Sequence, residues 1–143
     1  MVCLQRSGSQ ITGIMSTKRV ELAHSLIAVL EGERLEAYQD SGGVWTIGMG
    51  HTGSDVHPGM KITSERSAEL LAQDAVHLFR QVQDLPDVAA AAWVSFGYNA
   101  GALRLHNALA GLLDMRTIIH DAHGNVQPGL VRRRALEWAL INS

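Results

Sequence analysis

Residues 31–52 carry the most informative pattern in the chain and read EGERLEAYQDSGGVWTIGMGHT. Asp40 opens the run Asp-Ser-Gly-Gly, in which every residue type favours a turn. Apolar residues then alternate with others along residues 44–49, and this period of two is typical of a β-strand. The pattern therefore predicts a small antiparallel sheet between Ala37 and Thr52.

Helical patterns lie on both sides of this sheet. From Ser16 to Leu30, apolar residues recur at helical spacing, and we expect this helix to end beside Glu31. Beyond the sheet, Thr63 can cap a long helix that is predicted to bridge the two halves of the molecule. The buried stripe predicted for that helix consists of Ala68, Leu71, Ala75, Leu78, Val82 and Leu85.

Three further helices are predicted in the second half of the chain. Residues 88–100 are apolar almost all round and follow Pro86, so we expect a central core helix there. Shorter helical patterns cover residues 103–113 and 130–141. Because the sheet is confined to one stretch between helices, the pattern predicts an α+β protein with a cleft between its lobes.

A length of 143 residues fits a single domain, which we assign to residues 16–143. The sequence Met15-Ser16-Thr17-Lys18 reads like a second beginning. Residues 1–15 are therefore expected to be a weakly structured N-terminal extension.

Composition and charge exclude several classes of function. With 46% hydrophobic and 18% charged residues the chain fits a soluble globular protein, and its formal charge of −2 supplies no basic field for nucleic acid or an anionic membrane. Cys3 is the single cysteine, so no intrachain disulfide and no zinc site with two or three cysteines can form. The seven histidines show no ligand array, so we expect no metal and no cofactor. We recognise no secretory signal and no membrane anchor.

Three polar residues are predicted to meet where the first helix joins the sheet. Glu31 lies at the helix end, Asp40 in the turn and Thr46 on a strand, in the spacing Glu-x8-Asp-x5-Thr. The spacing alone is only moderately specific. Glu31 could be a surface residue, Asp40 a turn former and Thr46 an ordinary strand residue.

The surrounding sequence is more specific than this spacing. Residues 31–40 and 43–52 closely resemble the catalytic segment of the phage-type lysozymes, the endolysin muramidases. Two later blocks agree with that family in order and rough spacing, namely residues 92–101 (AWVSFGYNAG) and residues 128–138 (PGLVRRRALEW). The resemblance spans residues 16 to 141, although the connection between the two later blocks is shorter than is usual in the family.

The resemblance implies a lysozyme-like fold, with a small β lobe and a larger helical lobe joined by a long helix. It also implies inverting hydrolysis, without metal or cofactor, of the β-1,4 bond between N-acetylmuramic acid and N-acetylglucosamine in bacterial peptidoglycan. Such hydrolysis needs one protonated carboxyl group and one ionised group, roughly 6.5–9.5 Å apart when the reaction inverts. Glu31, beside apolar packing, is expected to be the acid and Asp40 the ionised group. Thr46 is expected to hold the attacking water.

By the same resemblance, Tyr98 and Asn99 are expected to bind the glycan, with Asn99 both donating to and accepting from an acetamido group. Asn99 could instead cap its helix. Arg133 and Arg134 are also expected to bind the substrate, and one of them is expected to pair near Glu31, although both could be ordinary solvated charges. The resemblance further predicts a structural ion pair between His51 and Asp74.

The biological role implied is lysis of the host cell by a phage or prophage. We expect a monomer that stays in the host cytoplasm until lysis, needs a holin to reach the wall and then acts on periplasmic peptidoglycan. A lytic transglycosylase and a glycan-binding protein on the same fold remain alternatives. Asp40 and Thr46 argue against the transglycosylase, because that reaction needs no positioned water. A zinc amidase is disfavoured because no zinc ligands are arranged for it.

Overall fold

The computed structural model of the chain describes residues 16–143. The extension predicted for residues 1–15 lies outside the described residues. The elements, in chain order, are helix α1 (Thr17–Glu31), strands β1 (Arg34–Gln39), β2 (Trp45–Gly48) and β3 (His51–Thr52), helix α2 (Ser64–Ala75), a 3₁₀ helix (Val76–Val82), helices α3 (Asp87–Ala100) and α4 (Ala102–Leu109), a 3₁₀ turn (Met115–Thr117) and helix α5 (Pro128–Ile141).

A glycine directly after helix α1 terminates the helix, and this fixes the position of Glu31. Gly32 has a φ of 70°, a left-handed conformation that favours glycine, and its N–H donates to the carbonyl of Ala28 over 3.0 Å. Glu31 is therefore the last residue of α1. The predicted end of this helix is confirmed.

The three strands form one antiparallel sheet in the order β1-β2-β3. Thr46 pairs with Tyr38 on one side and with Thr52 on the other. Since directly opposed residues on antiparallel strands point to the same face, these three side chains form one row across the sheet. The sheet begins at Arg34, somewhat before the predicted limit at Ala37.

The predicted long helix after the sheet is corrected by the structure. Its α-helical part ends at Ala75, and the chain continues as the 3₁₀ helix. Ala68, predicted to be buried, is exposed, while Ser67 is buried in its place. Ser67 lies against β2, where a Cβ at Gly48 would be only 3.1 Å from the Ser67 hydroxyl. A small side chain is therefore needed where this helix crosses the sheet.

Helix α3 forms the centre of the helical lobe, as its apolar sequence predicts. Its buried residues are Ala90, Ala91, Ala92, Val94, Ser95, Phe96 and Gly97. Gly97 allows a close approach, because a Cβ there would lie 2.7 Å from Leu105 and 3.1 Å from Leu78. The following helix α4 is shorter than the predicted segment 103–113, and α5 begins two residues before the predicted start at residue 130.

A buried arginine fastens α1 to the start of α3. Arg19 pairs with Asp87 over 2.9 Å and donates to the carbonyl oxygens of Val82, Gln83 and Leu85 at 3.2, 3.3 and 2.9 Å. These carbonyls lie at the end of the 3₁₀ helix and just beyond it, where helical partners run out, although the Val82 carbonyl also accepts from the Leu85 N–H over 3.1 Å. The side chain thus adds donors for the backbone acceptors at this helix end.

Two hydrophobic clusters correspond to the two lobes. The small one consists of Ile47, Val56 and Leu70, beneath the sheet. The large one lies among the helices and includes Ile27, Leu78, Phe79, Val94, Phe96 and Leu105. The predicted α+β class is confirmed. Within residues 16–143, no helix combines the length and the apolar character that crossing a bilayer requires.

Candidate active site

A groove lies where the end of α1, the sheet, the end of α3 and the start of α5 meet. Its two main parts are cavities of about 630 and about 280 Å³, and Glu31, Asp40 and Asn99 line both of them. A third cavity of about 260 Å³ adjoins the smaller one through Gly50 and Tyr98. The structure therefore brings the two predicted carboxyl groups to one groove, and we call these adjoining cavities the groove.

The carboxyl group of Glu31 is held from α5. Arg133 Nη1 donates to Glu31 Oε1 over 2.6 Å, and the Glu31 side chain is 21% exposed. On the other side, a Cβ at Gly50 would lie 3.2 Å from Oε2, so any larger residue there would press against the carboxyl group. Gly50 has a φ of 87°, which also favours glycine. The charged partner of Glu31 is therefore a guanidinium from α5.

Asp40 is held by the turn that it begins. Its Oδ1 accepts from the backbone N–H groups of Gly42 and Val44 at 2.8 and 2.9 Å, and its backbone carbonyl accepts from Gly43. Asp40 is thus a turn former as well as a lining residue of the groove. The two roles are compatible, because the turn uses Oδ1 and no other described residue donates to Oδ2.

Thr46 presents an acceptor to the groove. It is 4% exposed, and its hydroxyl donates to the carbonyl of Val44 over 2.9 Å. With that hydrogen engaged, the lone pairs of Oγ1 remain to accept from a water or a hydroxyl group. Tyr38, Thr46 and Thr52, the row across the sheet, all line the smaller main cavity.

Tyr98 and Asn99, at the end of α3, form part of the opposite wall. The Tyr98 hydroxyl donates to the carbonyl of Met49 over 2.7 Å. Burial, with smaller effects of Asp74 and Glu31, raises the pKa of Tyr98, so the phenol stays neutral. Tyr98 therefore ties α3 to the turn between β2 and β3.

The Asn99 side chain accepts from Arg134 and does not cap the helix. Since a guanidinium can only donate, the atom that faces Arg134 must be Oδ1. The amide Nδ2 is then the group that Asn99 can offer to a ligand. The Arg134 contact uses one lone pair of Oδ1 and leaves Nδ2 free of protein partners among the described residues, so the expected contact of Asn99 with an acetamido group stays a prediction.

Arg133 and Arg134 are buried, which corrects the alternative that both are solvated charges. Arg133 makes the predicted contact with Glu31, and Arg134 reaches Asn99. Both also bind Glu137, a residue that our reasoning from sequence missed. The available signal was its position three and four residues after the arginines on one helix. Burial lowers the pKa of Arg134, and Glu137 opposes that shift.

His51 forms the predicted contact with Asp74, with Nδ1 2.6 Å from Oδ2. The structure adds Asp55, whose Oδ2 lies 3.0 Å from His51 Nε2. Burial lowers the pKa of His51, but hydrogen bonds and charges of Asp74 and Asp55 outweigh it, so the pKa is raised. The histidine is therefore a bridge between two carboxylates beside the groove.

Asp121 organises the wall formed by the loop before α5, which sequence reasoning also missed. Its carboxylate accepts from the N–H groups of His123 and Asn125, both at 2.9 Å, and from the Gln127 side chain at 2.7 Å. These contacts, the Asn125 N–H first, lower the pKa of Asp121. Asp121 and Gln127 line the larger main cavity. Among residues 16–143, no three His, Cys, Asp or Glu side chains are grouped so that they could hold a metal.

An α+β fold with a groove between its lobes, and with one carboxyl group at a helix end and another in a hairpin turn, defines a lysozyme-like protein. The chain belongs to the phage lysozyme family, whose sequence model matches residues 28–137. This confirms the resemblance on which the predicted site residues rest.

Individual relatives agree with this assignment. The chain is 37% identical over 136 residues to an endolysin of Bacillus phage PZA, covering 83% of this chain and 53% of that protein. It is 35% identical over 123 residues to a SAR-endolysin of Bacteriophage PS119, covering 76% of this chain and 74% of that protein. The active form of the P1 phage endolysin Lyz superposes with a TM-score of 0.71 at 25% identity, over 94% of this chain and 92% of that one. The chain thus spans about half the length of the PZA relative.

Proposed function

We propose that this protein is an endolysin that hydrolyses the β-1,4 bond between N-acetylmuramic acid and N-acetylglucosamine in bacterial peptidoglycan. The observation that carries the proposal is the placement of Glu31 and Asp40 on one groove, in a chain of the phage lysozyme family. A groove of several hundred Å³ suits part of a glycan strand.

Glu31 is the proton donor in this proposal. Arg133 holds Oε1, so Oε2, on the side of Gly50, is the oxygen that carries the proton. A protonated Glu31 keeps its contact with Arg133 through Oε1. Once the proton has passed to the departing sugar oxygen, the guanidinium stabilises the carboxylate that remains.

Asp40 and Thr46 orient the attacking water. Asp40 Oδ2 and Thr46 Oγ1 are both acceptors, so a water between them donates both hydrogens and directs a lone pair at the sugar carbon. Asp40 then takes the proton that the water loses. Attack from the face opposite to the departing oxygen inverts the configuration of that carbon.

The proposed biological role is lysis of a bacterial host by a phage or prophage, supported by relatives that are phage endolysins. Accumulation in the host cytoplasm, release through a holin and action as a monomer on periplasmic peptidoglycan are part of this proposal.

Glu31→Gln tests the proposal, because glutamine keeps the size of the side chain and cannot give up a proton. Clearance of permeabilised bacteria should fall at least about a hundredfold, as expected for loss of a general acid. Glu33→Gln is the matched control, since Glu33 is exposed, lies two residues away and lines none of the cavities. It should keep the activity of the parent.

Mass analysis of the digested wall separates hydrolysis from its alternatives. Hydrolysis leaves reducing N-acetylmuramic acid ends, whose first-formed anomer is α when the β bond is inverted. Anhydro ends would identify a lytic transglycosylase. Equal clearance by the parent and Glu31→Gln would remove Glu31 from the chemistry, and wall binding without clearance by either would identify a glycan-binding protein.

A further inference from the structure

Glu137 is a fully buried carboxylate between two arginines. Its Oε1 accepts from Arg133 Nε over 2.9 Å and from the Ser95 hydroxyl over 2.8 Å, and its Oε2 accepts from Arg134 Nη1. The residue is 0% exposed. It lines none of the three cavities of the groove, so it does not touch a substrate there.

Each of these arginines extends from Glu137 to a different residue of the groove. Arg133 binds Glu137 through Nε and Glu31 through Nη1. Arg134 binds Glu137 through Nη1 and Asn99 through Nη2. A single buried carboxylate thus fixes the two guanidinium groups that hold the proposed proton donor and the proposed glycan ligand.

The charges of this cluster balance only when Glu137 is counted. When Glu31 is ionised, Glu31 and Glu137 supply two negative charges, and Arg133 and Arg134 supply two positive charges, so their sum is zero. Without Glu137, two buried guanidinium groups share one carboxylate. Arg133 then has no other carboxylate partner than Glu31, and it holds the ionised form of Glu31 more strongly.

We propose that Glu137 is a positioning residue, which acts through Arg133 on the retention of the Glu31 proton and through Arg134 on the orientation of Asn99. This inference rests on the proposed function, because it assigns a role relative to the proposed proton donor. Glu137 shares Arg133 with Glu31 and Arg134 with Asn99, so one buried carboxylate sets the position of both contacts.

Other charged and titratable groups also face Glu31, and they stay in place when Glu137 is changed. They come from α5, from the β1-β2 hairpin and from α3, and are Arg133, Arg134, Asp40, Tyr38 and Tyr98. A change confined to Glu137 therefore reports the effect of its charge alone.

The test is the pH dependence of kcat/KM of the full chain on soluble peptidoglycan fragments. In Glu137→Gln, the alkaline limb, which reports loss of the Glu31 proton, should move to lower pH by about one unit, as expected for removal of one nearby charge. Misplacement of Glu31 should also lower kcat about tenfold or more. The folded fraction of the variant is followed by circular dichroism over the same pH range, and only a limb that moves while this fraction stays constant counts for the proposal.

A charge-balanced variant makes the test independent of the stability of Glu137→Gln. Arg134→Gln alone should move the limb to higher pH, because the cluster loses a positive charge. Arg134→Gln with Glu137→Gln should return it close to the parent, since the sum of charges is again zero. Exposed Glu21, on α1 with Glu31, provides the matched Glu→Gln control, which should leave the limb in place.

An unmoved limb in folded Glu137→Gln would overturn the proposal. If that variant does not fold, equal limbs in Arg134→Gln and in the double variant would overturn it, because these two differ only at Glu137. An inactive parent protein would instead refute the proposed function, so the two failures are distinguishable.

Discussion

At the scale of single residues, Glu31 and Asp40 line one groove but are held by different kinds of partner. Glu31 depends on Arg133, which reaches it from a helix more than a hundred residues away in sequence. Asp40 depends on the N–H groups of Gly42 and Val44, within its own turn. The position of Asp40 is therefore a local property of the hairpin, whereas that of Glu31 requires the assembled helical lobe.

His51 should make stability depend on pH. Its pKa is raised in the folded state, so the stability that it contributes is complete below its unfolded pKa of about 6.5 and is lost as pH rises through the raised value. At about pH 6, His51→Asn should lower the free energy of unfolding by about 1–3 kcal/mol, as expected for two hydrogen bonds to charged groups. Urea unfolding from about pH 5 to 10 should show this deficit shrinking as the solution becomes alkaline.

His24 provides a control in which the pH dependence of stability has the opposite sign. It lies half-buried on α1 with its ring against Phe79, and burial lowers its pKa. Its contribution is therefore lost as pH falls, so His24→Asn should gain stability relative to the parent in acid. A deficit of His51→Asn that stayed constant over the whole range would refute the assigned ion pair.

At the scale of elements, helices with a continuous apolar pattern could be predicted from the sequence, and α1 and α3 are close to their predicted bounds. The 3₁₀ helix could not be predicted from the sequence, because a short apolar pattern does not distinguish 3.6 from 3.0 residues per turn. The Glu137 contacts were missed for a different reason. The importance of these contacts depends on the burial of Glu137 against Ser95, which is distant in sequence.

Gly97 is predicted to be required by the packing of α3 on its neighbours. An alanine inside a helix normally stabilises it by up to about 1 kcal/mol relative to glycine. Here the added methyl group would lie 2.7 Å from Leu105 Cδ2 and 3.3 Å from Leu105 Cβ, and Leu105 is fully buried. Gly97→Ala should therefore destabilise the protein by about 1–3 kcal/mol in urea unfolding, as overpacked cores do.

Gly129→Ala is the matched control, because Gly129 also lies in a helix but has open space around it. The nearest atom to an added Cβ is 4.0 Å away, on Arg132. This variant should be as stable as the parent or slightly more stable. If Gly97→Ala were equally well tolerated, the close contact between α3 and α4 would not be a constraint on the fold.

At the scale of the whole molecule, the groove is a product of assembly. The sheet lobe contributes Asp40 and Thr46, and the helical lobe contributes Glu31, Asn99 and Arg133. Sequence reasoning could name these residues through a family resemblance and expected Arg133 or Arg134 near Glu31, but it could not assign Arg133 to Glu31 and Arg134 to Asn99, because that assignment depends on how the last helix packs against the lobe.

The charge of the whole chain predicts how binding to the wall responds to salt. A formal charge of −2 gives no long-range attraction to an anionic polymer, and the buried Arg133 and Arg134 are already paired with carboxylates. Raising NaCl from about 0.05 to about 0.5 M should therefore weaken binding less than about threefold, because added salt screens exposed charges much more than buried ones. Co-sedimentation of Glu31→Gln with purified walls measures this without digestion. Combining Arg132→Gln with Glu31→Gln removes an exposed cation beside the groove and should leave the salt response unchanged. A steep loss of binding in moderate salt would instead show that surface charge, and not the groove, holds the wall.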